Sequence, residues 1–162
     1  MSADKHRPHV LVLPEDDANR QLANGFTLEQ SSYTRQIQVL EPAGGWMKVL
    51  ECFKADHVRM MHTCPHRLMV LLIDFDGHED RLPYARKLIP ERLTDRVFIL
   101  GVLTEPEKLR ADLGRSYEAI GMALAKDCRE DTDTTWRHGL LQHNSAEIGR
   151  LRDRVRPILF HL

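Results

Sequence analysis

Residues 68–73 of the chain are six consecutive apolar residues, inside the run RLMVLLI, and Asp74-Phe75-Asp76-Gly77 follow at once. The run is too short for a helix buried all round. It also lacks the apolar–polar alternation of a strand with one wet face. It therefore reads as a strand covered on both sides, which requires a layer of helices above and below the sheet. HVLVL (9–13), RQIQVLEP (35–42) and DRVFILGVL (95–103) are three further runs of strand character.

Helical segments separate them. EDDANRQLANGF carries acids in its first turn, as the helix dipole favours, and pairs Leu22 with Phe26 on one face. Gly25 and the polar residues 29–33 should end that helix. WMKVLECF and ARKLIPERL are helical, the latter cut by Pro90, and PEKLRADLG runs from Pro106 to a stop at Gly114. Three more helices are expected in YEAIGMALAKDC, TDTTWRHGLLQH and NSAEIGRLRDRV. In the last, Asn144 and Glu147 have capping-box spacing. RPILF closes the chain as an edge strand or a docked tail. The expectation is one α/β domain over 1–162: a mostly parallel four-stranded sheet flanked by helices at 9–103, with a C-terminal helical extension at 104–162.

In such a sheet, ligands bind beyond the carboxyl ends of the strands. Three features fall there: Glu15, Asp16 and Asp17 after the first strand, Gly44 and Gly45 after the second, and Asp74 and Asp76 after the third. Right-handed crossovers bring those ends to one edge. Carboxylates gathered at one point repel unless a cation shares the site, and hard oxygen donors suit magnesium or manganese. Glycines let a phosphate or a backbone come close.

This ordered set resembles the topoisomerase–primase (TOPRIM) family: Glu15 in LVLPEDDANRQL, Gly44 and Gly45 in EPAGGW, and Asp74 and Asp76 in LLIDFDG. The resemblance covers residues 9–103. It implies magnesium-dependent cleavage or transfer at a phosphodiester of nucleic acid. Asp74 and Asp76 would hold the cation, and Glu15 would share it or act as general base or acid. Asp17, Glu79 and Asp80 are further candidates for a second ion. The sequence departs from the family where Asp16 follows Glu15 in place of glycine, and where GHED follows Asp76. Nothing resembles a topoisomerase's tyrosine-bearing domain, so the simpler nuclease-type members are implied.

Two other families share parts of the pattern. A response-regulator receiver has acids after its first strand and a phosphate acceptor after its third, here Asp74, with Thr104 and Lys126 as partners. Lys126, however, falls in a helical segment. Haloacid dehalogenases carry a motif like IDFDG, but at the start of their fold. An inactive binding module, with a protein partner, also remains open.

The charge balance narrows any nucleic-acid contact. With 23 basic and 24 acidic residues the chain is near neutral, so such a contact must be local. Arg150, Arg152 and Arg154 in RLRDRVR form the best basic patch. No apolar run approaches the ~20 residues that span a bilayer. The start of the chain lacks a signal-peptide core, and the three cysteines have no framework spacing, so a reduced cytoplasmic protein is expected. Cys52, His57, His62, Cys64 and His66 crowd one segment without the paired spacing of a zinc site. His6, His9, His138, His143 and His161 share no pattern and are expected at the surface. Trp46 and Trp136 are expected to pack in the core or cap it.

Overall fold

The structure is a computed structural model that describes residues 2–29 and 36–162. Four strands form one parallel sheet: β1 (His9–Pro14), β2 (Ile37–Val39), β3 (Arg67–Leu72) and β4 (Val97–Leu100), in the order β2-β1-β3-β4. The central pair is the longest, running in register from His9 opposite Arg67 to Pro14 opposite Leu72. Side chains alternate across it, so both faces need cover. Val10, Val12, Leu68 and Val70 face one layer, and Leu11, Leu13, Met69 and Leu71 face the other.

The first layer holds α1 (Asp17–Thr27), α5 (Pro106–Leu113), α6 (Tyr117–Glu130) and α7 (Ser145–Val155). The second holds α2 (Trp46–Cys52), α3 (Val58–Thr63) and α4 (Arg81–Lys87). Residues 104–162 thus supply most of one layer. No helix of the described residues is long and apolar enough to cross a membrane.

Several local expectations change. Gly25 does not end α1, which continues to Thr27; residues 30–33 of the polar stretch lie outside the described residues. Gly25 instead marks the place where α1 and α6 touch backbone to backbone. A Cβ on Gly25 would stand 2.1 Å from the Glu118 carbonyl oxygen, and one on Gly121 would stand 2.0 Å from that of Leu22. Residues 131–141 form turns, not a helix, organised by one buried carboxylate. Asp127 accepts from the backbone N–H groups of Thr135 (2.7 Å) and Trp136 (3.2 Å) and from the Thr132 hydroxyl (2.8 Å). His9 is not at the surface but fully buried. Its Nε2 accepts from Arg67 Nε at 2.9 Å and its Nδ1 lies 2.7 Å from the Arg7 carbonyl, so the ring is neutral.

The capping box of α7 does not form, because both its members are used elsewhere. Asn144 takes hydrogen bonds to the N–H (3.2 Å) and C=O (2.9 Å) of Gly101, and Glu147 accepts the N–H of Ile99 at 3.0 Å. These groups lie along the outer edge of β4 and its continuation. Two side chains of the α7 segment therefore satisfy the backbone that a fifth strand would otherwise pair, which blunts an edge prone to unwanted pairing. RPILF accordingly forms no strand and closes the chain as a π-helical turn, Arg156–Phe160.

Two expected outcomes follow from this packing. Gly121→Ala forces α1 and α6 apart and should cost about 1–3 kcal/mol in urea unfolding, the usual scale for overpacking. Glu147→Ala strands the Ile99 N–H without a partner and should cost a similar ~1–3 kcal/mol by the same measurement.

Candidate active site

The β1–β3 register sets the site. β1 ends at Pro14 opposite Leu72, so Glu15 and Asp74 leave adjacent strands on the same edge. One Glu15 carboxylate oxygen accepts the backbone N–H of Asp74 at 2.6 Å. The backbone of Glu15 is held on both sides: its N–H reaches Leu72 O at 2.9 Å and its carbonyl accepts from Gly44 N–H at 2.8 Å. The glycine turn after β2 therefore abuts the acid after β1. Gly44 and Gly45 have φ of 95° and 156°, a backbone that L side chains rarely adopt.

Asp74 is 94% buried, being 6% exposed. Its Oδ1 accepts from Asn19 Nδ2 at 2.9 Å, and the same amide nitrogen donates to Asp16 Oδ1 at 3.0 Å. Burial pushes the Asp74 carboxyl up to about 7, helped by the negative charges of Glu15, Asp16 and Asp76 and opposed by the Asn19 bond. Burial also raises Glu15, against the Asp74 N–H bond that lowers it. Asp76 sits in the left-handed region at φ 48°, followed by Gly77 at 73°. Their N–H groups bond Thr104 O (3.0 Å) and Leu103 O (2.8 Å), tying the turn to the loop after β4. Arg81, at the start of α4, donates from one nitrogen to Asp74 O (2.7 Å) and Asp76 Oδ2 (2.8 Å).

Of the two acids that follow Glu15, the one facing this site is Asp16, not Asp17. Asp16 is the N-cap of α1 and accepts the Asn19 N–H at 2.9 Å. Asp17, one residue further round the helix, is exposed and pairs with Arg20 and Gln21. Glu79 and Asp80 are exposed, and Asp80 makes no side-chain cap to α4.

The proposed basic patch is elsewhere. Arg150 donates to the carbonyls of Thr94 and Val97 and to Glu147, and Arg154 donates to Asp95 O. Those partners lie at the amino end of β4, the opposite edge of a parallel sheet from Glu15 and Asp74. Arg152 is buried, bridging Asp131 and Asp133. Lys126 is exposed on α6 and not at a strand end.

Asn19 and Arg81 are the site residues that the strand-end argument missed. Asn19 had a signal in its spacing, three residues after an N-cap aspartate. Arg81 had none, because its reach depends on the turn at Asp76 and Gly77.

Among the described residues no group of three or more His, Cys, Asp or Glu side chains is arranged as a ligand set, the Cys52–His66 segment included. The donors at this edge are nonetheless all oxygens, and magnesium keeps several waters while using one or two carboxylates. Asn19 Oδ1, fully buried between the acids' elements, has no hydrogen-bond partner. A buried carboxyl near 7 beside three other acids carries charge that a cation would offset. The chain matches no family model, curated protein or solved structure.

The carboxyl shift has a measurable sign. Between the ordinary aspartate value and about 7, folded Asp74 holds a proton that the unfolded chain has lost. Its contribution to stability is therefore greatest below that window and falls as pH rises through 7. In metal-free buffer, Asp74→Asn should raise the melting temperature by several degrees at pH 8 and by clearly less at pH 5. Equal shifts at the two pH values would mean that Asp74 is not the group that titrates.

Proposed function

We propose that the chain is a metal-dependent phosphodiesterase acting on nucleic acid through the acids at the carboxyl edge of β1 and β3. The observation that supports this most is the meeting of Glu15 and Asp74, from positions 59 residues apart, around a carboxyl held near 7. Asp74 and Asp76 would hold the cation, with Asp16 behind them. A bound magnesium or manganese ion would polarise a phosphoryl oxygen and acidify a water.

The remaining work falls to the chain itself. Glu15 is the candidate general base: burial lifts its carboxyl toward neutrality, and the Asp74 N–H fixes its orientation. Arg81 neutralises Asp76 and holds the turn at Asp74, so it positions both acids. Gly44 and Gly45 put no side chain of their own beside Glu15, and exposed Lys48 runs past them, which suits a backbone phosphate. Asn19 fixes the rotamers of Asp16 and Asp74 together.

When single- and double-stranded DNA and RNA are each incubated with magnesium or manganese, at least one should be cleaved, and only when metal is present. Glu15→Gln should lower turnover by roughly 10²-fold or more, the usual size of a general-base contribution. Cleavage that persists in the variant, or no cleavage of any substrate, would sink the proposal. Magnesium at 100 times its dissociation constant should also stabilise the fold by about 2.7 kcal/mol. At one fixed magnesium concentration the gain should be larger at pH 8 than at pH 6, because protons compete with the ion for Asp74.

A further inference from the structure

Trp46 was expected to pack into the core or cap it, as Trp136 does, with its Nε1 donating to Leu124 O at 3.0 Å. It does so only in part. It follows Gly45 at the rim of the acid site and stays partly exposed, while packing against the core on the α2 side of the sheet. The Arg81 guanidinium lies 4.6 Å over its ring, the same guanidinium that bonds Asp74 O and Asp76. Tyr84, one helical turn beyond Arg81 on α4, meets Trp46 edge to face with centroids 5.7 Å apart. Tyr84 is 45% exposed, one of the few large apolar side chains left open to water. Exposed Lys48 runs past Gly44 on the same side.

Arg81 could hold the acids without any aromatic neighbour, so the stack needs its own account. Arg81 covers one face of Trp46, whereas the Tyr84 ring meets Trp46 at 72° and stays 45% exposed. A fixed, open aromatic ring beside a cationic side chain is how proteins hold an unpaired base while the backbone runs on past basic groups. A paired base offers no free face, because its neighbours in the duplex cover it.

We infer that Tyr84, backed by Trp46 and Arg81, stacks an unpaired nucleobase next to the phosphodiester held at Glu15 and Asp74, so that the substrate is single-stranded nucleic acid. This rests on the phosphodiesterase assignment for the neighbouring phosphate. The stacking itself can be measured without turnover.

The measurement uses the full chain in EDTA with fluorescein-labelled oligodeoxythymidylate, oligouridylate and a duplex of equal length. Anisotropy reports affinity, and unlabelled oligonucleotides report tryptophan quenching. Single strands should bind at least tenfold more tightly than duplex and quench emission, and Trp46→Phe should abolish the quench. Tyr84→Ala should weaken single-strand binding about tenfold, in line with the ~1–3 kcal/mol of a stacked base, while Tyr84→Phe should keep it. Thermal melts of each variant check folding, and exposed Tyr84 keeps the test open if Trp46 variants unfold. The comparison of thymidylate with uridylate assigns DNA or RNA.

Equal affinity for duplex, an unchanged dissociation constant in Tyr84→Ala, or no binding to any strand would overturn the inference. The two failures are separable. Stacking without cleavage in magnesium or manganese would remove the hydrolytic assignment and leave the platform. Cleavage with a KM indifferent to Tyr84 would do the reverse.

Discussion

The register of β1 against β3 is the constraint on which the rest depends. Six paired positions, buried on both faces, allow no slip, since a shift of one residue would turn every Val and Leu to the opposite layer. That register puts Glu15 within reach of the Asp74 N–H. It also places the glycine turn after β2 against Glu15, because β2 pairs with the other side of β1. The site is thus a consequence of strand pairing more than of its own hydrogen bonds, several of which hold like charges together.

Those like charges are the cost of the arrangement. Four carboxylates at one edge are tolerated because protein donors divide them: Asn19 serves Asp16 and Asp74, the Asp74 N–H serves Glu15, and Arg81 serves Asp76. At Asp74 burial, helped by the neighbouring acids, outweighs the Asn19 bond, and its carboxyl stays near 7. A site that is fully neutralised by its own side chains has little use for a cation or a proton. One left short of positive charge can take up either.

At its other edge the sheet is closed by side chains. Glu147 and Asn144 occupy the outward groups of Ile99 and Gly101, and Arg86 and Arg150 hold the Glu147 carboxylate in turn. Arg150 and Arg154 of α7 serve this closure and the loops at the amino end of β4, and Arg152 holds the turn at Asp131 and Asp133. Their charge therefore serves packing, and the cations near the acids, Arg81 and Lys48, come from the α2 and α4 side.

Much of the fold was legible in the sequence, since apolar runs of four to six residues between helical segments leave few alternatives to a covered parallel sheet. The residues after β1 and β3 were legible as site candidates for the same reason: parallel strands end on one side. Three things were not. Which of Asp16 and Asp17 joins Glu15 depends on where α1 begins, and one residue of helix is a rotation of about 100°. Whether Asn144 and Glu147 cap their own helix or a distant strand depends on which unpaired N–H lies closer, and only the packed chain supplies β4. The partners of Trp46, Arg81 and Arg152 lie on other elements, so their roles followed from tertiary contacts that no local pattern encodes. Sequence alone determined the layers and the edge where chemistry can occur, because burial and strand direction are properties of patterns. The tertiary structure decided which side chains meet there, because that depends on distances between elements far apart in the chain.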